Sequence, residues 1–549
     1  MMHARCVSFK TAARAYQKPE GLISYGTAGF RAKADALPST VFRCGVLAAL
    51  RALHTGARTG LMVTASHNPE PDNGVKLADP SGGMLAMEWE DVANEMANAA
   101  TEEHLWDLVC RLVEREKIDL ATNCASVQVL LGRDSRPSSC GLAEAAQKGI
   151  QAMGVKVCDL GLVTTPQLHF LVRARNRGEP CSEEAYFLQL ARGFATLAKN
   201  SNPNKSVQPL ILDASNGVGG PKWHELARHL DGQISAQVRN NGDGRLNEKV
   251  GADFVQKEKL PPLGVSSPGD DGSRIVSVDG DADRLVYFSL LDNQVTLFDG
   301  DKIATLMASY VCKLLKTLPP GQIRDASVGV VQTAYANGAS TKFITEGLGL
   351  KVEVTPTGVK HLHKAAEEFD VGIYFEANGH GTVLFKDGFM QQVNEACAAC
   401  PASPVEGTPE SALVKLRALG EVVNQAVGDA LSGILVVEAI LSHYQWQLKD
   451  WAGLYTDVPS RQLKVQVKDR NVIETMNAET RVKTPAALQS RIDESVGLYE
   501  SGRSFVRPSG TEDVVRVYAE ASTQAAADEL ARIVARHVHQ ICGGVGAEP

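Results

Sequence analysis

An α/β fold assembled from several units is what this sequence predicts, and three observations predict it. The chain has 549 residues, enough for roughly three to four domains. Short apolar runs that stop at Gly-, Pro- or Asn-bearing turns recur along it and lead into helical patterns, as at Val127 to Leu131, Leu210 to Leu212 and Ser327 to Val331. The hydrophobic fraction of 44% and charged fraction of 22% are those of an ordinary soluble protein, and no apolar run reaches the ~20 residues of a membrane helix. A net charge of −8 argues against a nucleic-acid protein, which would carry a basic footprint. The 11 cysteines are scattered and odd in number, which suits a reducing, cytoplasmic compartment and no disulfide framework. Cys397 and Cys400 form a C-x-x-C without a second pair or a His at metal spacing, so neither zinc nor redox chemistry is expected there. The amino terminus is basic without an acid, faintly like a transit peptide; a structural helix is the better reading.

In chain order, Ser24 to Arg31 (SYGTAGFR) is a glycine turn ending in a cation. Thr40 to His54 reads as a helix, apolar at Val41, Val46, Leu47 and Leu50. Leu61 to Val63 is a buried strand that stops at Thr64-Ala65-Ser66-His67-Asn68-Pro69. Pro69 cannot continue a ladder and pushes Asn68 toward an extended conformation, so an exposed turn presenting the Ser66 hydroxyl is expected. Lys76 follows the turn Asp72-Asn73-Gly74. A Ser-His-Asp hydrolase does not fit: G-x-S-x-G is absent, and adjacent side chains such as Ser66 and His67 do not normally pair as a dyad. Residues 84–118 read as mostly helix. Val127 to Leu131 opens onto GRDSRPSS with Arg133, Asp134 and Arg136. A helix to Met153, a strand near Val155 to Leu160 and Thr164-Thr165-Pro166 complete a first α/β unit, followed by an apparent polar insertion at Arg173 to Glu184.

A second unit opens at Pro209. Its Asn216 to Gly220 turn lacks the G-x-G-x-x-G spacing, so no dinucleotide site is implied. In Ile275 to Phe288 (IVSVDGDADRLVYF), two apolar runs flank Asp279, Asp281 and Asp283. Alternation along an extended loop would turn the three carboxylates to one side, where they repel unless a cation lies between them. Hard oxygens of this kind suit Mg²⁺. An EF-hand is excluded because Arg284 and Leu290 stand where Gly and Glu are required. The third unit follows the helix Asp301 to Leu315, with strands at Ser327 to Val331 and Lys351 to Val354 and the loop Thr355 to Lys360. Ile373-Tyr374-Phe375 then leads to Glu376-Ala377-Asn378-Gly379-His380-Gly381, a carboxylate and an amide able to bind adjacent sugar hydroxyls. Gln391 to Pro409 reads as a flexible insertion, and Glu410 to Glu438 as a helix broken at Gly420 and Gly428. In the last unit Arg507-Pro508-Ser509-Gly510-Thr511 joins two strands. Arg507 offers a planar fork of donors, Ser509, Gly510 and Thr511 offer hydroxyl and N–H groups, and Arg516 can point back at them, together a phosphate clamp. The final helix carries Leu530, Ile533, Val534, Val538 and Ile541 on one stripe.

Thr-Ala-Ser-His-Asn-Pro, Asp-Gly-Asp-Ala-Asp-Arg, Glu-Ala-Asn-Gly-His-Gly and Arg-Pro-Ser-Gly-Thr-Glu-Asp, in this order, resemble the four loops of the phosphohexomutases. The resemblance covers nearly the whole chain and implies three similar mixed-sheet α/β domains plus a smaller C-terminal α+β domain around a central cleft. The limits expected are 1–205, 206–318, 319–452 and 453–549. It implies a phosphoserine at Ser66, proton handling by His67 and Lys76, and phosphate contacts from Arg31 and Arg284. It implies Mg²⁺ on Asp279, Asp281, Asp283 and a Ser66 oxygen, sugar contacts at Glu376, Ala377 and Asn378, and phosphate contacts at Arg507, Pro508, Ser509, Gly510, Thr511 and Arg516. Other phosphohexomutases carry Ser where this chain has Asn378. That loop, Gly251-Ala252-Asp253-Phe254-Val255 and Asp457 to Val465 resemble the acetylglucosamine branch. The expected reaction interconverts N-acetylglucosamine 6-phosphate and 1-phosphate through a hexose 1,6-bisphosphate, which also primes the enzyme, on the route to UDP-N-acetylglucosamine. The expected partner is the phosphosugar alone, with no nucleic acid or membrane, and the chain acts as a monomer or homodimer. Broader glucose or mannose phosphate specificity and a silent phosphosugar-binding protein are the alternatives.

Overall fold

The computed structural model describes residues 2–121, 126–199, 210–323, 325–401, 403–510 and 512–549, with side chains from residue 6 onward. Four main sheets follow one another along the chain. The first comprises β1 (Phe30–Lys33), β2 (Arg58–Val63), β3 (Asp72–Ala78), β4 (Gln128–Arg133) and β5 (Lys156–Leu162), in the order β1-β3-β2-β4-β5. The β2–β4 and β4–β5 pairs are parallel, and β3 runs antiparallel to both its neighbours. The second comprises β6 (Leu210–Asp213), β7 (Ala236–Arg239), β8 (Ile275–Val278), β9 (Leu285–Leu291) and β10 (Gln294–Phe298), ordered β10-β9-β8-β6-β7 and again mixed. The third, β11 (Val328–Thr333), β12 (Lys351–Thr355), β13 (Val371–Phe375) and β14 (Gly381–Phe385), is ordered β12-β11-β13-β14.

The fourth differs. Within β15 (Ser460–Gln466), β16 (Glu474–Met476), β17 (Arg481–Thr484), β18 (Arg503–Pro508) and β19 (Val514–Glu520), β15-β19-β18 form an antiparallel sheet and β16-β17 a separate hairpin. The fold class matches the expectation: three mixed α/β units and a smaller α+β unit. Among the described residues no helix is long and apolar enough to cross a membrane.

Packing explains how the units hold together. The helix Ala430–Tyr444 is apolar on all sides and buried from Ala430 to Leu441, which suits a helix enclosed by protein. It shares one continuous core with Leu212, Val278 and Leu285 of the second sheet and Ile373 and Phe375 of the third. The helix Gly300–Thr317 packs on β13 and on the helices Pro409–Val422 and Ala430–Tyr444, so the second and third units share an element. The last unit has a core of its own, from Val465 to Cys542. It meets the third unit mainly through Ala334, Phe505 and Tyr518 and through Arg503, which donates to the carbonyls of Ala334 and Ala336 at 2.9 and 2.6 Å.

Several elements correct the sequence reading. The amino-terminal segment is helical over Met2–Arg14, with Phe9 fully buried, as expected. Arg173 to Glu184 is not an insertion: it ends the helix Thr165–Arg177, begins the helix Glu183–Leu197, and contains only a short link between them. Gln391 to Pro409 is not uniformly irregular either. The helix Asp387–Cys397 occupies its first part and buries Phe389, Val393 and Cys397, a narrow stripe at every fourth position. Gly420 lies inside the helix Pro409–Val422 without breaking it, whereas Gly428 does fall in the gap before Ala430–Tyr444.

Candidate active site

Ser66 sits where β2 ends, with φ 54°, and the reading of an exposed turn is wrong: the residue is fully buried. Its burial comes from the second unit, whose carboxylate loop closes over it. The Ser66 hydroxyl donates to Asp279 Oδ2 at 2.7 Å and lies 3.4 Å from Asp283 Oδ1. A Cβ at Gly280 would stand 2.8 Å from the Ser66 carbonyl oxygen, so glycine is what allows this approach.

The serine loop is held from below by Arg136. Its guanidinium donates to the carbonyls of Ser66, Asn68, Pro69 and Asp72 at 2.8–3.0 Å and to Asp134 Oδ2 at 3.0 Å. Asp134 accepts further bonds from Thr64 Oγ1 at 2.7 Å and Ser139 Oγ at 2.6 Å. Asn247 Nδ2, from the second unit, donates to the carbonyls of Ser66 and Asn68 at 2.8 and 3.0 Å. Sequence reasoning left Arg136 as one of three cluster residues and passed over Asn247. The signal for Arg136 was its place in GRDSRPSS; for Asn247, some 181 residues from Ser66, there was none.

Asp279, Asp281 and Asp283 converge as expected, with candidate ligand oxygens all within 4.8 Å of one another and all three residues buried. The cause differs from the expected alternation. The loop between β8 and β9 is a tight turn with Ala282 at φ 57°, and Asp279 Oδ1 accepts from the backbone N–H groups of Asp283 and Arg284 at 3.1 and 3.2 Å. Asp281 Oδ1 is buried without a partner. A spare carboxylate oxygen in a buried all-oxygen group fits a hard divalent cation such as Mg²⁺.

Cations surround the triad. Lys76 Nζ donates to Asp281 Oδ2 at 2.8 Å and Asp283 Oδ2 at 2.6 Å. Burial works against its charge, but those two carboxylates outweigh burial and raise its pKa. Arg284 Nε lies 3.9 Å from Asp279 and 3.8 Å from Asp283, and its Nη1 lies 3.7 Å from Asp253. The Gly251 to Val255 segment, whose role the sequence did not disclose, thus places a carboxylate against Arg284. Arg31 on β1 faces the same group: burial and Arg284 lower its pKa, and the three aspartates oppose that shift. Thr165, also missed, donates its hydroxyl to Asp281 Oδ2 at 2.6 Å.

The titrations diverge. Burial, then Asp283 and Asp281, push the Asp279 carboxyl well above its usual range. Burial acts the same way on Asp283, but Lys76, His380 and Arg284 overcome it and hold that carboxyl well below. Burial, then Arg284, Arg31 and Lys257, keep the His67 pKa far below that of a free imidazole, and its Nδ1 is buried without a partner. His67 is therefore uncharged and Lys76 a cation, which separates the two expected proton carriers.

The Glu376 to Gly381 loop abuts this centre. Gly379 has φ 84°, and a Cβ there would lie 1.8 Å from the Leu285 carbonyl oxygen. That contact and the bridge between Arg284 and His380 tie the third unit to the second, and His380 Nδ1 lies 3.9 Å from Asp283. Asn378 Nδ2 donates to Glu376 Oε2 at 3.3 Å, and its Oδ1 accepts from His380 N at 3.0 Å. The two side chains bond to each other on a turn rather than on an extended loop. Ala377 is at the tip between them, and its carbonyl accepts from Gly300 N at 3.4 Å.

In the fourth unit Arg507 and Arg516 are cross-strand partners on β18 and β19, with Pro508 ending β18 and Gly510 exposed after it. Ser509 N donates to Val514 O at 2.8 Å, closing the loop. Thr511 lies outside the described residues. Arg507 Nε donates to Glu479 Oε1 at 2.9 Å, and Arg516 Nε is buried without a partner.

Three family models match: phosphoglucomutase/phosphomannomutase alpha/beta/alpha domain I at residues 21–104 and 118–187, phosphoacetylglucosamine mutase AMG1 domain III at 299–446, and the phosphoglucomutase/phosphomannomutase C-terminal domain at 463–537. The phosphoacetylglucosamine mutase of Oryza sativa is 48% identical over 95% of each chain, and that of Homo sapiens 45% over 97% of each. Among solved structures, Aspergillus fumigatus N-acetylphosphoglucosamine mutase with GlcNAc-6P and magnesium superposes with TM-score 0.90 at 41% identity, covering 98% of this chain and 99% of that one. Another from that organism, with glucose 1,6-bisphosphate, gives TM-score 0.89 at 41% identity over the same shares. Loops that the sequence separates by hundreds of residues meet around one buried serine, and whole-chain relatives share both fold and length; the chain belongs to the phosphohexomutase family, in its phosphoacetylglucosamine mutase branch.

Proposed function

We propose that this enzyme interconverts N-acetylglucosamine 6-phosphate and N-acetylglucosamine 1-phosphate through a phosphoserine at Ser66 and a 1,6-bisphosphate. The observation that carries the reading is the Ser66 hydroxyl, buried 2.7 Å from Asp279 among three carboxylates and the cations Lys76, Arg31 and Arg284. The related enzymes named for this reaction, and the two complexes above, support the substrate and the bisphosphate.

The working enzyme starts with phosphate on Ser66. The substrate 1-hydroxyl attacks phosphorus, the new sugar O–P bond forms, and the bond from phosphorus to Ser66 Oγ breaks. The hydroxyl proton goes to His67, whose buried Nδ1 has no partner. The Ser66 oxygen leaves as an alkoxide held by the surrounding cations, and in the return transfer it takes the second phosphate while His67 gives its proton to the sugar oxygen set free. Arg31 and Arg284 face the phosphoryl oxygens, where positioning and fixed charge carry most of the catalysis. Asp279, Asp281, Asp283 and the Ser66 oxygen would hold Mg²⁺, which when bound supplies positive charge against the charge that develops in phosphoryl transfer. Arg507, Arg516 and the backbone and hydroxyl donors of the Ser509 to Thr511 loop grip the other phosphate. Glu376 and Asn378 read the sugar. The bisphosphate turns end for end and returns its second phosphate to Ser66; a bisphosphate from solution primes an unphosphorylated serine.

We place the domains at 1–205, 206–318, 319–452 and 453–549, with the helix Gly300–Thr317 shared across the second junction, and take the active form to be a cytoplasmic monomer or homodimer. A coupled mutase assay with N-acetylglucosamine, glucose and mannose phosphates tests the assignment. A preference for the acetylated sugar is expected; no turnover of any of the three overturns it.

A further inference from the structure

The phosphate clamp already holds an anion of the protein's own. Glu479 lies at the tip of the β16–β17 hairpin. Its Oε1 accepts from Arg507 Nε at 2.9 Å, and its Oε2 accepts from Thr357 N at 2.8 Å and Thr357 Oγ1 at 2.6 Å. One carboxylate thus joins the phosphate arginine of the fourth unit to the Thr355 to Lys360 loop of the third. That loop is fixed on its other side by Lys360, which donates to Glu90 of the first unit at 2.6 Å. The tip is strained: Asn477, Ala478 and Glu479 stand consecutively at φ 51°, 55° and 66°, a region that costs non-glycine residues free energy. Across the sheet Arg516 keeps a buried Nε without a partner.

We propose that Glu479 is a positioning residue that competes with the substrate phosphate for Arg507. A phosphate dianion opposite Arg507 and Arg516 balances their two charges, and Glu479 adds a third negative charge to the same pocket. Either the carboxylate leaves Arg507 when phosphate arrives, or the pair shares the fork under mutual repulsion. Both weaken the grip on phosphate. Weakness has a use here, because the same clamp must hold the 6-phosphate in one transfer and the 1-phosphate in the other, releasing the bisphosphate in between. A carboxylate tethered to Thr357 and ready to return to Arg507 lowers the cost of that release while keeping the cleft wall in place. The inference rests on the mutase reading above.

Glu479→Gln tests it, because the amide keeps the shape and removes the charge. Inorganic phosphate binding by titration calorimetry and steady-state turnover of N-acetylglucosamine 6-phosphate are measured on the full chain with Mg²⁺. The expected result is phosphate bound about 5- to 10-fold more tightly, KM lowered by a similar factor and kcat lowered, as release of the intermediate slows. Glu479→Ala should tighten inorganic phosphate in the same direction, and serves if the amide variant is unstable. A raised KM with unchanged or weaker phosphate binding in both variants would show that Glu479 only fastens the hairpin, overturning the proposal. Absent turnover in the unsubstituted enzyme would instead overturn the mutase reading, so the two failures are distinct.

Discussion

Arg136 touches no position where substrate would sit, yet its removal should silence the enzyme. Its guanidinium satisfies four carbonyls of the serine loop and neutralises Asp134, whose side chain is wholly buried beside it. Arg136→Ala breaks a buried ion pair, an effect of roughly 3–5 kcal/mol, and leaves the Ser66 and Asn68 carbonyls with Asn247 alone and the Pro69 carbonyl with Asp72 N alone. Arg136→Lys is the sharper perturbation. It keeps the charge for Asp134, but an ammonium has three donors and no planar fork, so at least two of the five bonds made by this guanidinium are lost. A displacement of Ser66 by ~1 Å is worth about 100-fold in rate. The assay compares kcat and KM for N-acetylglucosamine 6-phosphate with thermal unfolding of the same sample. The expected outcome for Arg136→Lys is kcat lower by about 100-fold, KM within about threefold, and the unfolding midpoint lowered by only a few degrees. A lysine variant with full kcat would refute the argument that this guanidinium sets the position of Ser66.

Four further outcomes follow from the geometry. Ser66→Ala should abolish turnover, and peptide mapping after incubation with the 1,6-bisphosphate should find phosphate on Ser66 in the parent enzyme only. Chelation should stop turnover, and Asp281→Asn, which weakens the oxygen left unpartnered, should raise the Mg²⁺ needed for half activity by about 10-fold or more. Asn378→Ser should change the ratio of kcat/KM for N-acetylglucosamine and glucose phosphates, whereas Arg516→Ala should lower both alike. Burial holds the pKa of His169 down to about 4, with Nδ1 against the Gly82 carbonyl at 2.6 Å. The unfolded chain therefore takes up this proton first, and about 3 kcal/mol of stability, present above pH ~6.5, is lost as pH falls through about 4. His169→Asn, which can keep a donor on Gly82, should show a smaller fall in unfolding midpoint between pH 7 and 5 than the parent.

The sequence was most legible where chemistry is local. Strands that end on a Gly, Pro or Asp turn, as at Val63, Val278, Phe375 and Pro508, placed the four loops at strand ends. Helices with narrow apolar stripes were harder. Phe389, Val393 and Cys397 are separated by Met, Gln, Asn, Glu and Ala, and the segment from Gln391 read as irregular. Arg173 to Glu184 read as an insertion because it is polar; Arg173 and Arg177 pair outward with Glu179 and Asp387, while Phe170, Leu171 and Val172 of the same helix carry the burial. Within the site, the residues that were missed or left without a role act across sequence distance: Asn247 on Ser66, Thr165 on Asp281, Asp253 on Arg284, Glu479 on Thr357. Neither periodicity nor a local motif encodes such pairings. Ser66 was misjudged for the same reason, since what buries it arrives from residues 279–283.

Charge balance argues that phosphorylation of Ser66 and cation binding are one linked event. The buried centre holds Asp279, Asp281 and Asp283 against Lys76, Arg31 and Arg284. His67 is neutral, and Lys257 is answered by Asp253 at 2.8 Å. With all three aspartates ionised, as cation binding requires, these six charges cancel, and Glu376 facing Arg284 leaves no positive charge to spare. A phosphate on Ser66 adds about −1.5 to −2, an excess that a largely buried site holds only with a counter-ion. A divalent cation on the aspartates restores the balance; a monovalent one leaves about half the excess. Each should therefore strengthen the other's hold by linkage. The cation should bind more weakly to the dephosphorylated parent than to the phosphorylated one, measurable by calorimetry without any turnover. Equal cation affinity in the two would mean that the charge is balanced elsewhere, and the first place to look would be Lys76 moving from the aspartates to the phosphate.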